Sequence, residues 1–203
     1  AYHTLANQGR YRESTPYQAI EIIGRPRITA DHRQTTQAVS PATAFQVTSM
    51  LSDREARRPM FGSAYNLTLS IPAAVKTGTT DSSRDNWTVG YSKYLVTGVW
   101  GGNSDGSPMR ESTGAAGAAP MWRTFMQGLI DDPDLAAVLD MPAALAEQPE
   151  LADFEPTGNL ALVTDCPSQI PCRPEGEYFQ LQWLSTMGQD GPFADSFAMG
   201  SLQ

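Results

Sequence analysis

Apolar residues recur along this chain with two periods, and the change of period divides it into elements. From residue 40 to 56 the run SPATAFQVTSMLSDREA places Ala44, Val47 and Leu51 at helical spacing, which predicts one apolar helix face. Ser40 suits the N-cap and Pro41 the first helical turn. Residues 56–70 read as irregular. After LSIPAAV the period shortens: NWTVGYS and YLVTGVWGGN are rich in β-branched and aromatic residues and read as two strands joined by a hairpin at Ser92-Lys93-Tyr94. SDGSPMRESTGAAG is a loop by its Gly, Ser and Pro content. APMWRTFMQGLI returns to helical spacing, opened by Pro120, with Trp122, Phe125 and Leu129 on one face. Before all of these, AYHTLANQG reads as a helix stopped by Gly9. QAIEIIG and RPRITA are short extended segments, and Pro26 argues for an edge position. The order predicts an α+β fold, an antiparallel sheet covered by helices.

Charge adds a boundary. Residues 1–130 hold 13 basic and 9 acidic side chains, whereas residues 131–203 hold 1 and 13. The expected organisation is therefore a domain portion over 1–130, an acidic Ala/Pro-rich linker over 131–155, and a small extension over 156–203. Within the extension, NLALVTDC and EYFQLQWLS read as two strands. With 40% hydrophobic and 18% charged residues the composition is that of a globular protein. No basic cluster interleaves with aromatics, so nucleic acid is not an expected partner. No stretch approaches the roughly 20 apolar residues that span a bilayer. The chain opens on Ala1 in what reads as the middle of a helix, so it is expected to be a piece of something larger, with any anchor or export signal upstream. Cys166 and Cys172 flank a short Pro-containing segment and could form a disulfide or remain two thiols. Without nearby histidines they do not make a zinc site.

The candidate chemistry lies at Lys76. The chain has two lysines, Lys76 and Lys93, and the first is followed by Thr77-Gly78-Thr79. A lysine at the mouth of a cleft supplies a fixed positive charge, and threonine hydroxyls beside it supply donors. Together they suit a terminal carboxylate. A glycine in the strand leaves space for another backbone, and a strand edge offers an N–H to a developing oxyanion. The stretch thus reads as half of an acyl-transfer site. A lysine exposed at a turn between strands accounts for the same residues without chemistry. A phosphate-binding loop is excluded on pattern, because the residues before Lys76 lack the glycines that build its cradle.

The blocks around Lys76 resemble the end of the transpeptidase domain of class A penicillin-binding proteins. KTGT, then WTVGY, then VTGVWGGN, then AAPMW occur in that family's order at short spacings, and AYHTLANQG and SPATAFQVTSML resemble its two preceding helices. The resemblance covers residues 1–130. It implies a sheet with helices on both sides, as in serine β-lactamases. It also implies a reaction without a cofactor, in which a serine attacks the D-Ala-D-Ala bond of a peptidoglycan stem peptide and the acyl group passes to a neighbouring amine. β-Lactams are then expected to acylate the same serine. Carried over residue by residue, Lys76 supports the electrostatics and proton traffic of acyl transfer. Thr77 and Thr79 bind the substrate carboxylate through their hydroxyls, Gly78 leaves room, and the Thr79 N–H is an oxyanion donor. Trp87, Tyr91 and Trp100 are expected to pack the core and sheet. Asn103 is expected in a turn, and Asp81, Arg84 and Asp85 on a rim where charges pair. The implied location is the outer face of the bacterial cytoplasmic membrane, reached through an upstream anchor and glycosyltransferase domain.

Two family motifs are missing. Lysines at 76 and 93 would need serine at 73 or 90 for Ser-x-x-Lys, and those positions are Ala73 and Gly90. No asparagine has a serine two residues before it. The nucleophile is therefore expected upstream, and this stretch alone is expected to be inactive. A serine β-lactamase or penicillin-sensing relative, and a non-catalytic cell-wall binding module, are the alternatives.

Overall fold

The computed structural model of the chain describes residues 1–29, 33–63, 65–110, 112–157, 160–163 and 177–180. Cys166 and Cys172 lie outside the described residues. Helix α1 (Tyr2–Ala6) ends at Gly9, which is obligatory: its φ is +82°, and a Cβ there would lie 2.1 Å from the Val39 carbonyl oxygen. Strands β1 (Arg10–Arg12), β2 (Ala19–Ile20), β3 (Ile28–Thr29) and β4 (Thr35–Gln37) then form a two-tier antiparallel arm, β1 pairing with β4 and β2 with β3.

Helix α2 (Pro41–Ser52) starts as expected, the Ser40 hydroxyl accepting from the Thr43 N–H at 3.1 Å. It stops earlier than its sequence pattern suggests. Asp53 has extended backbone angles and its carboxylate caps a second helix, α3 (Arg54–Phe61), by accepting from the Ala56 N–H. Part of the stretch read as irregular is thus helical. Arg54 and Arg57 donate to the carbonyls of Leu69 and Leu67, and Arg123 to that of Thr68. Three guanidinium groups thereby satisfy the backbone of the segment that leads into the sheet.

The sheet is a meander of β5 (Ala74–Thr79), β6 (Asp85–Tyr91) and β7 (Val96–Gly102), all antiparallel. Helix α4 (Ala118–Asp131) packs on one face. It buries Ala118, Ala119, Trp122 and Met126, while Phe125 remains 54% exposed. The buried stripe is therefore one step away from the one read from sequence, and Met126 takes the place given to Phe125. Gly90 is required here, since a Cβ would lie 2.4 Å from the Trp122 ring. Helices α1 and α2 cover part of the opposite face, around Tyr91. The antiparallel sheet between helices agrees with the α+β expectation.

The acidic stretch expected to act as a linker contributes to the core. Helix α5 (Pro133–Val138) is followed by two 3-10 turns (Ala143–Ala146 and Pro149–Ala152), and Met141, Leu145 and Ala152 join the buried cluster of Leu69, Val75 and Trp122. These three face in while most of the stretch's carboxylates, and Leu135 and Val138, stay exposed, a pattern that composition alone hides. Phe154 meets Tyr91 edge-on at 5.9 Å, and Lys93 pairs with Glu155 at 2.9 Å. Strands β8 (Leu160–Val163) and β9 (Glu177–Gln180) pair antiparallel as expected for the extension. Tyr178 packs edge-on against Phe45 of α2 at 5.0 Å.

Candidate active-site strand

Strand register decides where each candidate side chain points. Lys76 pairs with Val89, Gly78 with Trp87, and Trp87 with Trp100. Directly opposed residues share a face, so Lys76, Gly78, Trp87 and Trp100 lie together. On the other face lie Thr77, Thr79, Thr88 and Asn86, with the loop 112–117 and α4. Lys76 and Gly78 are thus on the face that α1 and α2 cover only near Tyr91. Lys76 is exposed, its ammonium donates to the Thr77 carbonyl, and it has no carboxylate partner among the described residues.

Backbone polarity follows the same parity. The Thr80 N–H donates to the Asp85 carbonyl at 3.1 Å, which makes 80 and 85 a hydrogen-bonded pair. In an antiparallel ladder such pairs alternate. Residues 78 and 76 therefore bond to β6, while the N–H groups of Thr77 and Thr79 point away from it. β5 is an edge strand, so these two amides face the free edge. A hydrogen-bond donor at Thr79 is thus available to an incoming oxygen.

The Thr79 side chain is braced from below. Its hydroxyl accepts from the Gly114 N–H at 2.9 Å, and the Thr88 hydroxyl donates to the Gly114 carbonyl at 3.1 Å. Asn86 donates through Nδ2 to the Ser112 hydroxyl. With its acceptor side engaged, the Thr79 hydroxyl keeps its proton free to donate, the polarity a carboxylate ligand needs. Gly114 permits this approach: a Cβ there would sit 2.7 Å from the Gly78 carbonyl oxygen and 2.8 Å from that of Trp87. Gly78 differs. A Cβ there would meet only Trp87, at 3.5 Å, so nothing among the described residues demands glycine at that position.

Several expectations change. Tyr91 is buried as expected, but Trp87 and Trp100 are 46% and 45% exposed. They flank Lys76 and Gly78 on the open face rather than packing a core. The rim charges do not pair with one another among the described residues. Asp85 instead accepts from the Trp100 indole at 3.0 Å and from the Thr80 hydroxyl at 3.0 Å, and Arg84 donates to the Gly106 carbonyl. Asn103 does lie in a turn, donating to the carbonyl and hydroxyl of Ser107. The bracing residues Thr88, Asn86, Ser112 and Gly114 were not singled out from sequence. Hydroxyl and amide side chains at 86 and 88, on one face of a strand, were the available signal. Lys76 thus projects from one face of β5 and the Thr79 hydroxyl from the other, with the Thr79 N–H at the strand edge between them.

Comparison with known proteins agrees with the blocks around Lys76. No family model matches the chain. It is 27% identical over 130 residues to penicillin-binding protein 1A of Pseudomonas aeruginosa, covering 64% of this chain and 16% of that protein. It is 31% identical over 128 residues to penicillin-binding protein 1B of Haemophilus influenzae, covering 62% and 16%. It is 26% identical over 161 residues to penicillin-binding protein 1A/1B of Bacillus subtilis, covering 72% and 17%. In structure it resembles penicillin-binding protein 1A from Haemophilus influenzae, with a TM-score of 0.53 and 21% identity over 65% of this chain and 25% of that one. The chain spans about a sixth of the length of the curated relatives it matches. These likenesses to penicillin-binding proteins 1A and 1B support reading the chain as a fragment of a penicillin-binding transpeptidase domain.

Proposed function

We propose that this chain supplies the carboxylate-binding strand and one oxyanion donor of a peptidoglycan D,D-transpeptidase. Lys76 and the hydroxyls of Thr77 and Thr79 hold the terminal carboxylate of a stem peptide ending in D-Ala-D-Ala. The Thr79 N–H stabilises charge on the carbonyl oxygen under attack, and Gly78 leaves room for the substrate backbone along β5. The observation that carries this reading is the grouping along one edge strand of a lysine with no carboxylate partner among the described residues, a threonine hydroxyl oriented as donor on the opposite face, and an edge amide between them. The space at Gly78, which no described residue fills, supports it as well.

The attacking serine is absent from these residues, since neither Ser-x-x-Lys nor Ser-x-Asn occurs. In this reading it comes from elsewhere in the full-length protein and forms the acyl-enzyme, with β-lactams as mimics of the peptide. The reaction then runs on the outer face of the cytoplasmic membrane. Labelling with a fluorescent penicillin tests the reading, on this chain and on one extended upstream through the parent reading frame. Labelling of the longer form alone is expected. A longer form that is folded and unlabelled would replace the enzyme with a non-catalytic cell-wall module.

A further inference from the structure

Beneath β5 sits one polar side chain that packing alone does not explain. Asn86 is 1% exposed, and its Oδ1 has no hydrogen-bond partner among the described residues. A buried acceptor without a donor lowers stability, and an apolar side chain of similar shape would avoid that loss. The other end of the amide is engaged. Its Nδ2 donates to the Ser112 hydroxyl at 2.5 Å. The contact is closely enclosed: a Cβ at Gly117 would lie 2.8 Å from Ser112 Oγ and 2.9 Å from Asn86 Nδ2. The bond also lies beside the candidate site. Asn86 opposes Thr79 across the ladder. Because 80 and 85 form a hydrogen-bonded pair, 79 and 86 form a non-hydrogen-bonded one, in which side chains approach more closely. Two residues after Ser112, the Gly114 N–H donates to the Thr79 hydroxyl at 2.9 Å. The loop is therefore tied to β6 by side chains at two points, Asn86 to Ser112 and Thr88 to Gly114, and the first lies at the Thr79 end.

We propose that Asn86 is a positioning residue for capture of the substrate carboxylate. Through Ser112 it sets the height of the loop under β5, so that the Gly114 N–H occupies the acceptor side of the Thr79 hydroxyl and leaves the hydroxyl proton for the incoming anion. The inference rests on the transpeptidase reading above. Without the amide the loop loses its tie next to Thr79. The hydroxyl then loses its fixed donor and turns among its staggered positions, offering its proton to the carboxylate only part of the time. Lys76 and the Thr79 N–H are untouched, because they project from the other face and from the strand edge. Removing Asn86 also removes its orphaned carbonyl, which offsets the lost bond to Ser112 in the stability of the fold. Substrate capture and fold stability therefore respond differently to this residue, which separates positioning from mere support.

Stopped-flow acylation of the upstream-extended form by a fluorescent penicillin tests it. The experiment resolves the dissociation constant of the first complex from the rate of acylation within that complex. Asn86→Ala should weaken the first complex by about five- to tenfold, less than the full worth of a hydrogen bond to a charged group because the Thr79 hydroxyl remains. The acylation rate within the complex should stay within about twofold of wild type, and the urea midpoint should stay close to it. Ser112→Ala cuts the same bond from the half-buried loop side and should behave alike. The double variant should be no worse than either single one, as expected of two partners in one bond. An unchanged first complex in both variants, a loss confined to the acylation rate, a loss that follows a lowered urea midpoint, or effects that add in the double variant would each overturn the inference and leave the transpeptidase reading standing. A folded wild-type extended form that forms no acyl-enzyme would overturn both.

Discussion

Replacing Gly114 with alanine isolates the brace beneath the candidate strand. The backbone of Gly114 is not in the left-handed region, so alanine meets no conformational penalty there and the effect is purely one of contact. Its new methyl would lie 2.7 Å from the Gly78 carbonyl oxygen, 2.8 Å from that of Trp87 and 3.1 Å from the Gly78 nitrogen. All three are backbone atoms of paired strands and cannot swing aside. The loop must therefore retreat by several tenths of an ångström, which lengthens the bonds at 2.9 Å to Thr79 and 3.1 Å from Thr88. Thr88 is 0% exposed, and leaving its hydroxyl unsatisfied costs about 1–3 kcal/mol. Overpacking adds about 1–3 kcal/mol, partly the same energy, so a loss of roughly 2–4 kcal/mol is expected. Urea unfolding of Gly114→Ala beside wild type measures it as a lower midpoint at unchanged slope. Thr88→Val serves as a companion that removes the hydroxyl without crowding, with a smaller loss of about 1 kcal/mol. An alanine variant within about 0.5 kcal/mol of wild type would show that the loop is not seated on the strand, and the orientation given to the Thr79 hydroxyl would fall with it.

Two further predictions concern the opposite faces of β6. Gly90→Ala should destabilise by about 1–3 kcal/mol, because the methyl would strike the Trp122 ring; pairing it with Trp122→Leu should recover part of the loss, and a purely additive double variant would refute the contact. Tyr91 should set an alkaline limit. Thr48 has one hydroxyl proton, which it donates to the Ala44 carbonyl at 2.8 Å, so Tyr91 donates to Thr48 at 2.8 Å. Burial raises the Tyr91 phenol above its ordinary 10.0. A raised folded-state pKa means a contribution complete below pH about 10 and lost as pH climbs through the folded value. Urea midpoints measured from pH 8 to 11 should fall less steeply in Tyr91→Phe than in wild type, and parallel profiles would refute the assignment.

Much of this arrangement was legible before any coordinates. Three consecutive strands, the Ser40-Pro41 helix start and the helix at Pro120 follow from local periodicity and capping, which act over a few residues. The errors share a cause at longer range. Only the strand register puts Trp87 and Trp100 on one face with Lys76, and alternation along a single strand does not say whether anything covers that face, which is why the large aromatics are expected in packing. Helical spacing around Trp122 allows two neighbouring stripes, and contact with Gly90 and Val75 selects the one containing Met126. In the stretch from 131 to 157 charge dominates composition, yet Met141, Leu145 and Ala152 have partners more than 60 residues earlier in the chain. The Gly114 brace depends on the register of two strands and on a loop returning 35 residues after Thr79, which no local pattern encodes.

The alternation of amides along β5 has a consequence for how such a chain can change in length. Lys76 projects from one face while the Thr79 N–H looks out from the strand edge, and both depend on the pairing of residue 80 with 85. Sliding β5 by a single residue would turn the lysine toward α4 and fold the donor amide into the ladder in one stroke. Insertions in the loop 81–84 leave this arrangement intact, whereas a single inserted or deleted residue between Ala74 and Thr79 exchanges the roles of every position at once. The strand is thus more tolerant of substitution than of a change in count, and lineages that vary here should differ in loop length around it while keeping the number of residues within it.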